Sequence, residues 1–400
     1  MINAEQRWWY FQIPDFRYSF FASILMLFAL AKNYSTLSNI TRWRDLPVLK
    51  WILVFLFLHY VGYAFALNII LHREFTYNFL KLVIIFMVAY KIVNSEKMLD
   101  AALWVYVLGC TYIGTVAKDV GRNGQGRVEG IGMVDTGGDA NGVAAVLVPS
   151  IVVLLYFAWQ GSWKIRLLAA FCSAYVVNAL VLINSRGAFL GVVVGAGLFI
   201  GYMLFSRFQK PGQRGMAIFI VLAGLAGAVS LADATFWERM QTLQADEQGQ
   251  RGGDGRGRID YWLSTLDMIN DYPMGMGIGG FSALSTVYLG EYKAVHSTWF
   301  QVLGEFSWYG LLIFIAILVS TLRLSQLAKK YLIKNNNIAA YFKLLMLECS
   351  LFGFLIASTF IDRARAEVLF WLILFISIAC NVYYFQPRRK IASEKIKNDI

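Results

Sequence analysis

Several arginines and one histidine lie between long apolar runs, where their types and spacing suit phosphate chemistry. Arg251, Arg256 and Arg258 precede His296, which stands directly before another apolar run. A planar guanidinium group binds two phosphate oxygens at once, which the ammonium group of Lys cannot do. A histidine at a membrane–water boundary can act as a general base near neutral pH, although an interfacial hydrogen-bonding role fits the pattern equally. We interpret this region as a site for a lipid-linked phosphate with His296 beside it.

Three further polar residues are candidates for the same site. Arg186 lies in a very short turn between two apolar runs, which holds a guanidinium at the membrane edge; a snorkelling Arg is the alternative. Arg258 and Asp260 begin a short predicted helix, whose N-terminus favours phosphate; a solvated loop is the alternative. Glu305 lies two to three turns inside the apolar helix after His296, where a carboxylate is costly and usually functional. A continuous helix would place Glu305 and His296 on opposite faces, so a direct pair needs a break or a non-helical start.

The composition places the chain among proteins that cross a membrane many times. Of its 400 residues, 58% are hydrophobic and 15% are charged, and the mean hydropathy is +0.55. A membrane-spanning helix needs about 20 apolar residues. Such runs cover approximately residues 18–31, 48–71, 77–93, 98–116, 141–159, 165–183, 188–205, 216–231, 298–322, 340–360 and 368–385. We predict an all-α polytopic membrane protein with about 11–12 transmembrane helices and one large periplasmic loop.

The basic residues at the two ends of these runs differ in type. One side holds most of the lysines and the basic C-terminal tail, which marks it as cytoplasmic. On the opposite, periplasmic side nearly every basic residue is Arg, with Lys118 and Lys293 as the exceptions. Because arginine there works against the topology signal, we interpret the periplasmic cluster as functional. Contact with lipid phosphates at the outer interface is the alternative for any single Arg.

The predicted spans divide the chain into three parts. Residues 1–231 form an N-terminal bundle that includes a Gly-rich periplasmic loop, 118–140. Residues 232–297 form the large periplasmic loop, and residues 298–400 form the C-terminal helices with the basic cytoplasmic tail.

The large loop contains two local patterns. Residues 260–271 predict a short helix with Trp262, Leu266 and Ile269 on one face, and Pro273 follows its end. Such a helix would lie on the bilayer surface or cap the site. The glycine-rich stretch that begins at Pro273 is a tight, flexible turn; it lacks the strand and the Lys of a phosphate-binding loop, so we do not interpret it as one.

The sequence shows no pattern of a metal or nucleotide site. Walker A, HExxH, Asp-x-Asp and clustered Cys/His patterns do not occur, so we expect no metal, no cofactor and no soluble nucleotide-sugar donor. The net charge of +11 is explained by cytoplasmic loops and anionic lipid head groups, and no nucleic-acid partner is expected. The four cysteines lie in apolar runs and are predicted to pack there: Cys110, Cys172, Cys349 and Cys380.

Four segments in order resemble the O-antigen ligase/polymerase superfamily of bacterial inner-membrane glycan transferases. They are Asp139-Ala-Asn141-Gly-Val-Ala144, Ser185-Arg186-Gly-Ala-Phe-Leu190, Gly257-Arg258-Ile-Asp-Tyr-Trp262 continuing through Gly275 and Gly277 to Phe281, and His296-Ser-Thr-Trp-Phe-Gln301-Val-Leu-Gly-Glu305 through Gly310. The resemblance covers most of the chain. It departs at one position: the ligases often carry Gly eleven residues after the His, where this chain has Ser307, which we interpret as a packing variation.

The resemblance implies a reaction. Members of the family transfer a glycan from undecaprenyl pyrophosphate to an acceptor hydroxyl on the periplasmic face of the bacterial inner membrane. Arg186 and Arg258, supported by Arg256, would hold the pyrophosphate and stabilise the charge that develops as it leaves. His296 would deprotonate or orient the acceptor hydroxyl, and the anomeric centre would be inverted by analogy.

The acceptor distinguishes the members of such a family. Lipid A–core as acceptor defines a ligase, which is our first interpretation, and a second lipid-linked repeat unit defines an O-antigen or exopolysaccharide polymerase. Transfer to protein is less favoured because those enzymes commonly carry a longer C-terminal region. A transporter for lipid-linked glycans would need ionisable residues along a midplane pathway and internal repeats, and the sequence shows few of the former and none of the latter.

Overall fold

The computed structural model describes residues 18–124, 126–131, 139–209, 211–241 and 257–398, and these form helices joined by turns and loops, with no β-strand among them. The predicted all-α fold is confirmed. The helices are α1 (Tyr18–Lys32), α2 (Tyr34–Ile40), α3 (Pro47–Val61), α4 (Ile69–Ile92), α5 (Glu96–Val120), α6 (Ala140–Gln160), α7 (Trp163–Ile183), α8 (Arg186–Phe205), α9 (Gln213–Leu231), α10 (Ala234–Gln241), α11 (Arg258–Asp271), α12 (Gly280–Leu289), α13 (Thr298–Lys334), α14 (Ile338–Ser358), α15 (Glu367–Cys380) and α16 (Gln386–Asn398).

Most of the long helices can cross a membrane. In the described part of the chain, ten are long and apolar enough to do so. The chain bends by 82° between α1 and α2, and this pair makes an eleventh span if it is counted as one. The protein is therefore a multi-pass membrane protein, as the composition predicted.

The predicted span 48–71 divides into two elements. α3 ends at Val61, and α4 starts after Asn68, whose side-chain oxygen accepts a 3.1 Å hydrogen bond from the amide of Leu71. Such a cap satisfies an amide that has no partner within the helix, and it sets the boundary inside an otherwise apolar run. His72 is therefore buried in the first turn of α4.

The centre of the bundle is formed by α6, α14 and α15, whose sides are mainly buried. α8 packs against α14 at glycines: a β-carbon on Gly191 would lie 2.5 Å from the carbonyl oxygen of Gly353. Small residues allow two helix backbones to touch inside a membrane. This contact brings the start of α8, with Arg186, beside the end of α14.

The predicted site residues lie at one end of the bundle, which we call the His296 end. His296 comes just before α13 begins, Asp139 just before α6, and Arg186 begins α8. Arg258 begins α11, which packs on α13 through the stacked rings of Trp262 and Phe300, 5.4 Å apart between centroids. The His296 end is defined by these four polar residues.

The described part of the large loop is folded around a small apolar core. The predicted helix is present as α11, although its buried face carries Tyr261, Thr265, Met268 and Ile269, of which only Ile269 was expected. α12 was not predicted. The core cluster consists of Tyr261, Met268, Met276, Phe281, Leu289 and Val295. The loop therefore stands on the bundle as a compact cap over α13.

Candidate active site

The loop between α14 and α15 is fastened to the first turn of α13. The Thr298 hydroxyl donates a 2.8 Å hydrogen bond to the carbonyl of Ile361 and accepts one of 3.0 Å from the amide of Arg363. The indole of Trp299 donates to the hydroxyl of Thr359 at 3.0 Å. Thr298 is fully buried, which shields its hydrogen bond to Ile361 from water, and the three bonds together hold the loop beside His296.

His296 lies in the non-helical segment that leads into α13, while Glu305 pairs with Arg365. The φ of His296 is +52°, a left-handed conformation that non-glycine residues seldom adopt, and the helix begins two residues later. Oδ1 of Asp362 accepts a 2.9 Å hydrogen bond from the amide of Ser297. Strained backbone of this kind persists where the surrounding contacts hold it, and it is concentrated at functional sites.

Desolvation favours the neutral form of His296. Desolvation by the surrounding protein lowers the pKa of His296, and Arg258 and Lys293 lower it further, while Asp362 and Asp139 oppose the shift. Burial raises the pKa of Asp362, and the nearby His296 acts in the opposite direction. A neutral imidazole that remains exposed at the surface can accept a proton from a hydroxyl group.

Arg258 lies close to the same loop. Its guanidinium carbon is 5.7 Å from the ring centroid of Phe360. Asp260, predicted to bind substrate, accepts a 2.7 Å hydrogen bond from the amide of Gly257 and so closes the first turn of α11. This contact fixes the start of the helix, and with it the origin of the Arg258 side chain.

The start of α8 lies near Phe360 as well. A β-carbon on Gly187, the residue after Arg186, would lie 3.2 Å from Cβ of Phe360. Arg186 itself is half-buried. Phe360 is therefore in contact with the beginnings of two helices, each of which carries one of the predicted phosphate ligands. Arg251 and Arg256, also predicted for this site, lie outside the described residues.

Asp139 and Arg363 connect the start of α6 to this loop. Oδ2 of Asp139 accepts a 2.9 Å hydrogen bond from the amide of Gly142 and lies 3.3 Å from Nη2 of Arg363. The guanidinium group of Arg363 lies so close to Gly142 that a β-carbon there would be 2.0 Å from Nη2. The Asp139-Ala-Asn-Gly142 segment thus caps α6 and also binds the side chain of Arg363.

Glu305 pairs with an arginine of the same loop. Both its carboxylate oxygens accept hydrogen bonds from Arg365, one of them at 2.9 Å, and Gln301 donates to Oε1 at 3.2 Å. The side chains of Glu305 and Arg365 are 6% and 9% exposed. Substrate binding by Glu305 stays a prediction; the observed contacts hold the loop against α13.

A break in α13 explains the role of the glycine-rich turn. Phe306 and Ser307 have non-helical backbone angles, so the carbonyls of Gly304 and Glu305 lack their usual partners one turn later. The amides of Met276 and Gly277 supply hydrogen bonds of 2.9 Å to these two oxygens. The turn therefore completes the broken helix inside the protein, where an unpaired carbonyl is costly.

Ser307 lies at the centre of this break. Its φ of +55° and ψ of −162° fall in a region that is essentially restricted to glycine. The departure from Gly at Ser307 is therefore more than the packing variation that we expected, because the backbone conformation at this position favours Gly.

The 118–140 loop approaches the site from the other side. Arg122 forms an ion pair with Asp233 and donates a 3.1 Å hydrogen bond to the carbonyl of Val181, and the amide of Val128 donates to Leu182 at 3.1 Å. The hydrogen bond from Arg122 lowers the pKa of Asp233. These contacts brace the turn that precedes Arg186. Residues 125 and 132–138 of this loop lie outside the described part.

Three residues near His296 received no role from the sequence: Asp362, Arg363 and Arg365. The only signal was the charged stretch Asp362-Arg-Ala-Arg365 between two apolar runs. More than fifty residues separate this stretch from His296, so only the folded bundle brings them together.

The fold and the site define an α-helical multi-pass membrane protein with a cluster of His, Asp and Arg side chains at one end of its bundle. Residues 168–315 match the family model described as O-antigen ligase. The match contains Arg186, Arg258, His296 and Glu305, and it confirms the resemblance to the O-antigen ligase superfamily. No curated protein matches the chain.

Proposed function

We propose that this protein transfers a glycan from undecaprenyl pyrophosphate to an acceptor hydroxyl on lipid A–core, at the periplasmic face of the bacterial inner membrane. An O-antigen ligase-like function is supported by the family match. The observation that carries the finer proposal is the grouping of His296, Asp362 and Arg258 at the start of α13, with the start of α8 beside them.

The residues have distinct roles in the proposed step. The acceptor oxygen attacks the anomeric carbon, its proton passes to the neutral imidazole of His296, and the bond from that carbon to the pyrophosphate oxygen breaks. The departing pyrophosphate keeps the bonding electron pair, and Arg186, Arg256 and Arg258 stabilise its charge. Attack opposite the leaving group inverts the anomeric centre. Asp362 orients His296 and stabilises the imidazolium that forms.

The orientation of the chain follows from its basic residues. The end of the bundle opposite His296 carries the basic tail and most of the lysines, which favours a cytoplasmic location for that end. The His296 end would then face the periplasm. Cysteine placed at residue 296 should react with a membrane-impermeant maleimide in intact spheroplasts; reaction only after lysis would contradict this orientation.

A polymerase is the second candidate, and Ser307 is the observation that favours it. The family's ligases often carry Gly at this position, and the backbone conformation there explains why Gly suits it. The chemistry would be unchanged, with a second lipid-linked glycan as acceptor.

Transfer in purified membranes tests both candidates. Undecaprenyl-pyrophosphate glycan is supplied with lipid A–core or with a second lipid-linked unit, and wild type is compared with His296→Ala and Arg186→Ala. Product on lipid A–core that both variants lose, at equal protein levels, supports the ligase. Elongated lipid-linked glycan supports the polymerase. Unchanged activity in both variants would contradict the residue roles.

A further inference from the structure

A tyrosine-lined cavity between α3 and α4 plays no part in the proposed step. Its volume is about 340 Å³, which is within the range of small-molecule sites. It lies where α3 ends and α4 begins. The glycine-rich turn is close to this point, since His72 of α4 accepts a 3.1 Å hydrogen bond from the amide of Ile278. The lining residues of the cavity are Tyr60, Tyr63, Arg73, Glu74, Thr76 and Tyr77.

The aromatic residues present both apolar and polar groups to the cavity. The rings of Tyr60 and Tyr63 stack with centroids 6.2 Å apart, and all three tyrosines are at least one-third exposed. A tyrosine ring offers an apolar face, and its hydroxyl offers a hydrogen bond. Tyrosines are common at membrane interfaces, but here they enclose a space that also contains two charged groups.

Arg73 and Glu74 give the cavity hydrogen-bond donors and acceptors, and the ammonium group of Lys81 lies 4.6 Å from the ring centroid of the lining residue Tyr77. Both Arg73 and Glu74 are exposed, and neither forms an ion pair or hydrogen bond with another residue in the described part of the chain. A guanidinium group supplies several donors and a carboxylate supplies acceptors, which together match a ring of hydroxyl groups.

Thr76 lies in the wall of the cavity and is buried. It is 1% exposed, and its Oγ1 has no hydrogen-bond partner among the described residues. Other buried helical threonines bond to a carbonyl one turn back, as Thr111 does to Val107 at 2.9 Å. A buried hydroxyl without a protein partner needs an explanation, such as a bound water or a ligand.

The segment of α4 that lines the cavity also carries a residue near the candidate active site. Phe75, beside Glu74, lies 5.6 Å from the guanidinium carbon of Arg365, which pairs with Glu305 of α13. We infer that the cavity binds an uncharged sugar unit of one of the two glycans that the proposed reaction joins. The inference rests on the proposed function, and the bound sugar would align a glycan chain along the His296 end.

Direct binding to the full-length protein in phosphatidylcholine nanodiscs tests this site. The probes are two soluble glycans: the core oligosaccharide released from lipid A, and the repeat-unit glycan released from its pyrophosphate. Titration calorimetry should show that one of them binds wild type, and that Tyr60→Ala and Glu74→Gln each weaken binding about tenfold or more. Phe57→Ala, an exposed ring on the same helix, and Glu238→Gln, an exposed carboxylate, serve as matched controls that keep wild-type affinity.

The identity of the bound glycan assigns the cavity to the acceptor or to the donor. Absence of binding by wild type, or equal binding by the cavity variants, would overturn the proposal. Competition by phosphatidylglycerol in the nanodisc would show a lipid head group as occupant and would also overturn it. His296→Ala should bind the glycan but not transfer it, so loss of binding and loss of transfer are separable failures.

Discussion

The guanidinium group of Arg363 occupies the space that a β-carbon would take at Gly142, with Nη2 2.0 Å from that position. The missing side chain of Gly142, at the start of α6, thus leaves the space that the side chain of Arg363 fills. Because the neighbouring carboxylate of Asp139 both caps α6 and pairs with Arg363, the contact fixes the loop that carries Asp362.

Gly142→Ala should lower transfer without unfolding the protein. The added methyl group meets the flexible end of Arg363, which can move away, so the helix forms while the loop beside His296 shifts. We expect a loss of about ten- to hundredfold in transfer rate, the scale seen for small misplacements of reacting groups. Gly109→Ala is the control, since nothing lies within 4 Å of its β-carbon position. Equal activity in both variants would show that Arg363 does not position the site.

The pH–rate profile should report His296. Its pKa is lowered by desolvation, and the imidazole acts as a base when neutral, so activity should persist until the pH falls below the usual histidine pKa of about 6.5. Asp362→Asn removes a charge that raises this pKa and should move the acid limb to lower pH. Arg258→Gln removes a charge that lowers it and should move the limb to higher pH.

Because the two shifts are expected in opposite directions, they test whether the acid limb of the pH–rate profile belongs to His296. Both variants are compared as rates relative to their own maxima, because each can also lose activity overall. Shifts in the same direction, or an acid limb that neither variant moves, would assign the titration to a group other than His296.

Ser307→Gly should stabilise the protein. A non-glycine residue in this backbone region costs roughly 1–3 kcal/mol, so relief of the strain should raise the free energy of unfolding by about 1 kcal/mol. Thermal unfolding in detergent measures the change. Ser320→Gly, at a regular position of the same helix, should be destabilising because glycine is a poor helix former. A lower melting temperature for Ser307→Gly would disprove the strain.

The ion pair of Glu305 and Arg365 should behave as a unit. Both side chains are buried, so Glu305→Gln or Arg365→Gln alone leaves one charge uncompensated at a cost of roughly 3–5 kcal/mol. The double variant should lose less than the sum of the two single losses, as measured by a double-mutant cycle in thermal unfolding. Strictly additive losses would mean that the contact contributes nothing.

The polytopic helical bundle could be predicted from the sequence, because the length of an apolar run is a local property that decides whether a helix can cross a membrane. The sequence also placed His296 and Arg258 at helix starts, since capping and turn signals are local. The boundary at Asn68 was missed because the apolar composition continues across it.

The groups that surround His296 could not be predicted from the sequence. Asp362 and Arg363 come from a loop more than sixty residues away, and Asp139 from a helix start still more distant, so spacing along the chain carried no information about their contact. The glycine-rich turn is a second case. Its amides bind the carbonyls of Gly304 and Glu305, which lack partners within α13 because of the break at Ser307, and this break is formed only in the folded helix. Helix packing brings these distant segments together, so local sequence patterns identified some residues of the site but not their neighbours.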